Sequence, residues 1–131
     1  MFVDASALCA ILLDEADGSE YDTKIAQSPS AQTSAIAIFE TVLAVTRAVA
    51  GDVSIARRDV SDYLAISNVE VVGVGEAEVA RALDAFDRFG KGRHPARLNM
   101  GDCFAYACAK THGVALLFKG DDFSQTDIAI A

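Results

Sequence analysis

The sequence predicts an α/β fold in three layers, with a central, mainly parallel sheet and helices on both of its faces. Short apolar runs alternate with helix-length segments along the whole chain, the order a parallel sheet with crossover helices requires. Val114–Phe118 is apolar throughout, as a strand covered on both faces is. Residues that start helices (Asp, Ser, Asn) precede the long segments, and Gly follows them. Just over half of the 131 residues are apolar, 52%. That is enough for a core without disulfide or metal staples, in one domain over residues 1–131.

Taken in order, Phe2-Val3-Asp4 is a short strand running into an Ala-rich helix, Ala5–Leu13. Asp14–Ser30 is acidic and polar and reads as a second helix ended by Pro29. Gln32–Ser34 is a short strand, with Ser34 placed to cap the third helix. From Ser34 to Ala50 the chain is apolar almost all round, up to Gly51, so this helix is expected to be buried on most faces. Asp52 caps a helix in which Val53, Ala56, Val60 and Tyr63 recur at helical spacing. Val69–Val72 is a strand, Glu76–Phe89 a helix stopped by Gly90, and Lys91–Leu98 a basic loop. Asn99 opens a helix that runs to His112 and closes at Gly113. Beyond the Val114–Phe118 strand lie a loop, Gly120–Asp127, and a last edge strand, Ile128–Ile130.

Composition narrows the function. Met1 leads straight into Phe2-Val3 with no basic segment before an apolar one, and no run approaches about 18 apolar residues. A cytoplasmic protein without a membrane partner is the expectation. The three cysteines, Cys9, Cys103 and Cys108, include no C-x-x-C pair and read as reduced thiols. The net charge of −8 disfavours tight nonspecific binding to nucleic acid. It does not exclude a nuclease, because local charge and bound cations decide that. There is no G-x-S-x-G elbow, no phosphate loop and no G-x-G-x-x-G turn. His94 lies in a polar loop and His112 ends a helix, where a cation suits the dipole.

The carboxylates carry the chemistry. In a parallel sheet ligands bind beyond the carboxyl ends of the strands. Asp4 stands at such an end, where it can also cap the first helix. Only Glu40 and Arg47 are charged in the 17 residues from Ser34 to Ala50, and the helical neighbours of Glu40 are Ile36, Ala37, Leu43 and Ala44. With no partner in its own helix, Glu40 must reach solvent, pair at a distance, change its pKa or hold a cation. Asp102 lies in the first turn of the Asn99 helix, where it also completes a capping box. Asp121 and Asp122 follow Gly120 past the last buried strand. If these acids converge they cannot all stay ionised without cations among them, and oxygen ligands select Mg²⁺ or Mn²⁺. Such ions favour phosphoryl chemistry.

Four motifs, in order and over essentially the whole chain, resemble a known family. Met1-Phe-Val-Asp4-Ala-Ser6-Ala is similar to the first-strand motif of PIN domains, and Glu40 in Ala35-Ile-Ala-Ile-Phe-Glu40-Thr to their helix glutamate. Leu98-Asn-Met-Gly-Asp102-Cys-Phe-Ala resembles the third motif. Leu116-Leu-Phe-Lys-Gly-Asp-Asp122-Phe123 resembles the closing motif of VapC toxins. The resemblance implies a PIN-like fold with Asp4, Glu40, Asp102 and a fourth acid around one or two Mg²⁺ ions, cutting RNA by water attack. It also implies a VapB-type antitoxin as partner, and a homodimer. Asp122 matches the second acid of a D-x-D-F pattern whose first is Gly120 here, so it is preferred to Asp121 as the fourth. Ser6 matches a hydroxyl position near the site but is equally placed to cap the first helix. Asp127 can assist from the same loop or serve only as a cap. Lys91, Arg93 and Arg97, three of the 11 basic residues within seven positions, stand ready to grip a phosphate backbone.

Two other readings compete. A haloacid-dehalogenase-like phosphatase also uses a first-strand Asp and a late acidic loop, but needs a second Asp where Ser6 stands. A PIN-like module that binds without cutting would be marked by the loss of an acid, and none of the four is lost.

Overall fold

The computed structural model describes residues 1–49 and 51–131; Ala50, the expected last residue of the third helix, lies outside them. The elements run β1 (Phe2–Val3), α1 (Ala5–Leu12), α2 (Gly18–Gln27), β2 (Ala31–Ser34), α3 (Ala35–Ala48), α4 (Val53–Ile66), β3 (Val69–Val72), α5 (Glu76–Phe89), α6 (Met100–His112) and β4 (Leu116–Leu117). The four strands form one sheet in the order β3-β2-β1-β4, and every pairing is parallel. A parallel neighbour requires a crossover, which is why a pair of helices follows each of β1, β2 and β3. The chain steps outward from β1 to β2 to β3 and then returns to the far side of β1 as β4. Strand order therefore reverses between β1 and β4, and the crevice beyond their carboxyl ends is the place such a sheet offers a ligand.

Register explains why the strands are apolar on both sides. Phe2 pairs with Leu116 and Val3 with Leu117. Phe2 and Leu116 enter a core with Ala85, Phe89, Leu98, Tyr106 and Cys108 from α5, α6 and the loop between them. Val3 and Leu117 enter the opposite core with Leu8, Ile25, Val42, Val60 and Leu64 from α1 to α4. Two cores separated by one sheet make the three layers.

Caps fix the helix starts as expected. The side chains of Asp4, Ser34 and Asp52 accept amide hydrogen bonds at the heads of α1, α3 and α4. Several boundaries differ. α2 begins at Gly18 instead of Asp14, because Asp14 turns the chain with a left-handed φ of 52°. Gly18 then meets α1 so closely that a Cβ there would enter the Ala10 carbonyl. β4 is only Leu116–Leu117, since Val114 closes α6 by donating its amide to the Ala109 carbonyl (3.0 Å). The expected edge strand is a single parallel bridge, Leu116 to Ile130. α3 is less enclosed than its composition suggests: Ala37, Thr41, Val42 and Val45 are buried, but Phe39 is 63% exposed. Among the described residues no helix is long and apolar enough to cross a membrane. All three cysteines are free, with Cys103 and Cys108 buried and Cys9 half-buried.

Candidate active site

Asp4 is buried at the carboxyl end of β1. Its Oδ2 caps α1, accepting from the Ser6 amide (2.9 Å) and the Ser6 hydroxyl (2.6 Å). Ser6 Oγ in turn accepts from the Lys119 amide (2.9 Å) just past β4. One serine thus ties the ends of the two strands that flank the crevice. The cap holds the Asp4 carboxylate at this edge of the sheet.

Asp102 is reached through the head of α6. Its Oδ2 accepts from the Asn99 amide (2.7 Å), while Asn99 Oδ1 accepts from the Asp102 amide (3.1 Å). Glu40 comes across from α3 and lies over this turn. A Cβ on Gly101 would run into both Glu40 carboxylate oxygens at well under 3.0 Å. The sequence did hold a signal for Gly101, since glycine inside a helix costs about 1 kcal/mol relative to alanine and so asks for a packing reason. The reason lies in the meeting of α3 and α6, which the sequence does not show.

The loop after β4 carries the remaining acids. Phe123 is 2% exposed and packs its ring 4.8 Å from that of Phe118, so it anchors the loop. Asp122 and Asp121 beside it are both exposed. The Asp121 carbonyl accepts from the Ser124 amide (3.1 Å) and hydroxyl (2.6 Å). Asp127 takes no part with the other acids. It accepts from Tyr106 (2.5 Å) and Arg88 (3.1 Å), and Lys110 lies 3.6 Å away. The Tyr106 hydroxyl and then Arg88 and Lys110 hold its carboxyl down at about 2, so Asp127 clasps the loop to α5 and α6.

Electrostatics bring the other four together. Burial raises the Asp4 carboxyl most, Ser6 opposes it, and the charge of Asp122 adds to it. Glu40 is pushed up to about 7 by burial and then by Asp4 and Asp102. Asp102 is pushed up to about 6 by burial, against the Asn99 amide, with Asp4 and Asp122 adding. Asp4, Glu40, Asp102 and Asp122 therefore share one field; Asp121 is not among the charges that raise the others. Cys9 borders the group unforeseen. Burial, then the charges of Asp4, Glu15 and Glu40, push its thiol up to about 11, so it stays protonated and is a poor metal ligand. The donor set is thus oxygen only, which suits a hard divalent ion such as Mg²⁺ or Mn²⁺. The cage is open: among the described residues no three acidic, histidine or cysteine side chains are gathered closely enough to hold an ion as they stand. Asp4 and Asp102 each have an oxygen engaged by a backbone amide.

Cationic side chains lie in two places. Lys119 donates its ammonium to Asp17 (2.7 Å) and to Glu15, tying the α1–α2 turn to the end of β4; the sequence did not suggest this. In the basic loop, Arg93 pairs with Asp87 (2.8 Å) and lies 5.4 Å over the Phe86 ring. Lys91 and Arg97 are exposed. Arg97 has a left-handed φ of 55°, uncommon for a residue with a β-carbon.

Over nearly its whole length the chain is similar to known proteins of one family. The PIN domain family model matches residues 1–129. The chain is 39% identical to a ribonuclease VapC of Mycolicibacterium smegmatis, over 98% of each chain. It is 40% identical to ribonuclease VapC30 of Mycobacterium tuberculosis, over 98% of this chain and 96% of that one. Among solved structures it is similar to VapC20 of Mycobacterium tuberculosis, described as a sarcin-ricin loop cleaving toxin (TM-score 0.75, 21% identity, 99% and 97% of the chains covered). A toxin-antitoxin complex from Klebsiella pneumoniae also matches in fold (TM-score 0.71, 14% identity, 99% and 95% covered). With the family model spanning nearly the whole chain and relatives at this identity over their full length, the chain belongs to the PIN-domain family, among the VapC ribonucleases.

Proposed function

We propose that this chain is an endoribonuclease, the toxin of a VapBC-type toxin–antitoxin pair. In this reading it hydrolyses RNA phosphodiester bonds at Asp4, Glu40, Asp102 and Asp122 with Mg²⁺, or Mn²⁺ in its place. The observation that carries the reading is the shared field of these four acids at the reversal of strand order, which a divalent cation would relieve. An ion held there supplies Lewis acidity toward a phosphodiester oxygen and toward water.

The chain's own residues do the rest. Asp4, fixed by Ser6, and Asp102, fixed by Asn99, are pre-organised ligands; Glu40 and Asp122 complete the negative charge. Burial and the charges of Asp4 and Asp102 push Glu40 up to about 7 without metal, and an ion held beside it would bring it into the charged, ligating form. Lys91 and Arg97 are free to contact phosphates, and the strained Arg97 backbone is the kind found at functional loops. Arg93 is partly neutralised by Asp87 and contributes less. Asp121 supports the loop through Ser124.

Residues 1–131 act as one domain in the cytoplasm, opposed by a VapB-type antitoxin. A homodimer is expected on the apolar face of α5 and α6, where Val79, Leu83, Phe86 and Met100 surround a cleft of about 180 Å³; sedimentation of the purified chain reads its mass. The activity is tested on labelled RNA with Mg²⁺, Mn²⁺ or EDTA. Cleavage with either ion and none in EDTA is expected; cleavage that survives EDTA would contradict the reading.

A further inference from the structure

Gly101 is the second residue of α6 and is buried. Its backbone does not require glycine, since its φ lies outside the left-handed region that Gly92, Gly113 and Gly120 occupy. What lies over it does. Among the described glycines, Gly101 alone would press a Cβ into a carboxylate: it meets Oε1, Oε2 and Cδ of Glu40, all well inside 3.0 Å. Gly18 instead meets main-chain atoms, and Gly90 the Phe86 carbonyl and ring, where a side chain would disturb the fold itself. The group over Gly101 is the far end of a flexible side chain. An alanine there would therefore leave the helix standing and displace the carboxylate.

We infer that Gly101 is a positioning residue: the space left by its missing side chain seats the Glu40 carboxylate on the first turn of α6. Seated there, Glu40 feels the charges of both Asp4 and Asp102. Displaced, it leaves the set. The inference rests on the reading of these acids as an ion-binding group, and it gives that group a determinant with no polar side-chain atom. The geometry also restricts the position. Alanine is the smallest replacement available and its only added carbon is the one that collides, so no other residue fits without moving Glu40.

The test is calorimetric titration of Mn²⁺ into the full chain, for the parent, Gly101→Ala, Glu40→Gln and the double variant. Gly101→Ala is expected to melt no lower than the parent without metal, to bind Mn²⁺ at least tenfold more weakly, and to lose RNA cleavage in step. The double variant should bind no more weakly than Glu40→Gln alone, because two changes that act through one group are not additive. Unchanged affinity in Gly101→Ala, or additive losses in the double variant, would overturn the inference. If Gly101→Ala does not fold, Glu40→Ala clears the seat and must restore it; a double variant that stays unfolded also overturns the inference. A parent that binds no Mn²⁺ would defeat the ion-binding reading instead. The seat then stands or falls on the Glu40 side-chain carboxyl carbon resonance of the metal-free protein, which Gly101→Ala must shift.

Discussion

Asp121 and Asp122 are adjacent, exposed and chemically the same, and Asp122 adds to the fields at Asp4 and Asp102. Its neighbour Phe123 is buried, which holds Asp122 in place, and small displacements of a reacting group cost rate. Asp122→Asn is therefore expected to lower the Mg²⁺-dependent single-turnover rate at least about tenfold, about 1.4 kcal/mol of barrier, and Asp121→Asn to change it little. The reverse ranking would overturn the assignment. The basic loop is graded in the same way. Lys91→Ala and Arg97→Ala should each weaken RNA binding and reduce the slope of log affinity against log salt by about 1. Arg93→Ala, whose guanidinium is already paired with Asp87, should do less. Equal effects of all three on the salt slope would refute that grading. At this scale the sequence was legible where a residue contradicted its local surroundings: Glu40 had no partner in its own helix. It was not legible where the partner lies across the fold, as with Gly101 under Glu40 or Lys119 on Glu15 and Asp17.

Among the elements, the loop from Gly120 to Asp127 carries Asp122, the proposed fourth acid. Phe123 pins it from inside and Asp127 clasps it from outside, through Tyr106, Arg88 and Lys110. Phe123→Ala removes a fully buried ring and is expected to destabilise the chain by about 3–5 kcal/mol. Asp127→Asn breaks pairs that are half exposed and should matter far less for stability. Urea unfolding measures both; an Asp127 variant as unstable as the Phe123 variant would mean that the clasp, not the ring, holds the loop. Element order, the caps and the parallel sheet were readable from apolar runs and helix signals. Element lengths were not. Val114 looks like strand but closes α6, and Asp14 looks like helix but turns the chain. α3 is apolar almost all round, but composition cannot say that Phe39 faces outward.

For the whole molecule, the function proposed for the acid group sets it against stability. Without metal, folded Glu40 keeps its proton up to about 7, whereas the ordinary value is 4.5. Asp102 keeps its proton up to about 6 against 3.8. Between those limits the folded chain holds protons that the unfolded chain has released, so stability falls as pH rises. Metal-free protein should thus lose melting temperature from about pH 4 to about pH 7. Mg²⁺ should restore it saturably, because an ion that binds only the folded state stabilises it by mass action. Monovalent salt at the same ionic strength only screens and should do less; an equal response to both salts would argue against a specific site. Asp127 has the opposite sign, its contribution being lost as pH falls from 3.8 through about 2. The most direct test of the central claim is single-turnover RNA cleavage at saturating Mg²⁺ by the parent and by Asp4→Asn, Glu40→Gln and Asp102→Asn, each first shown to be folded. Cleavage by the parent that stops in EDTA and is abolished in all three variants is the predicted result; a folded variant that cleaves at the parent's rate would contradict it.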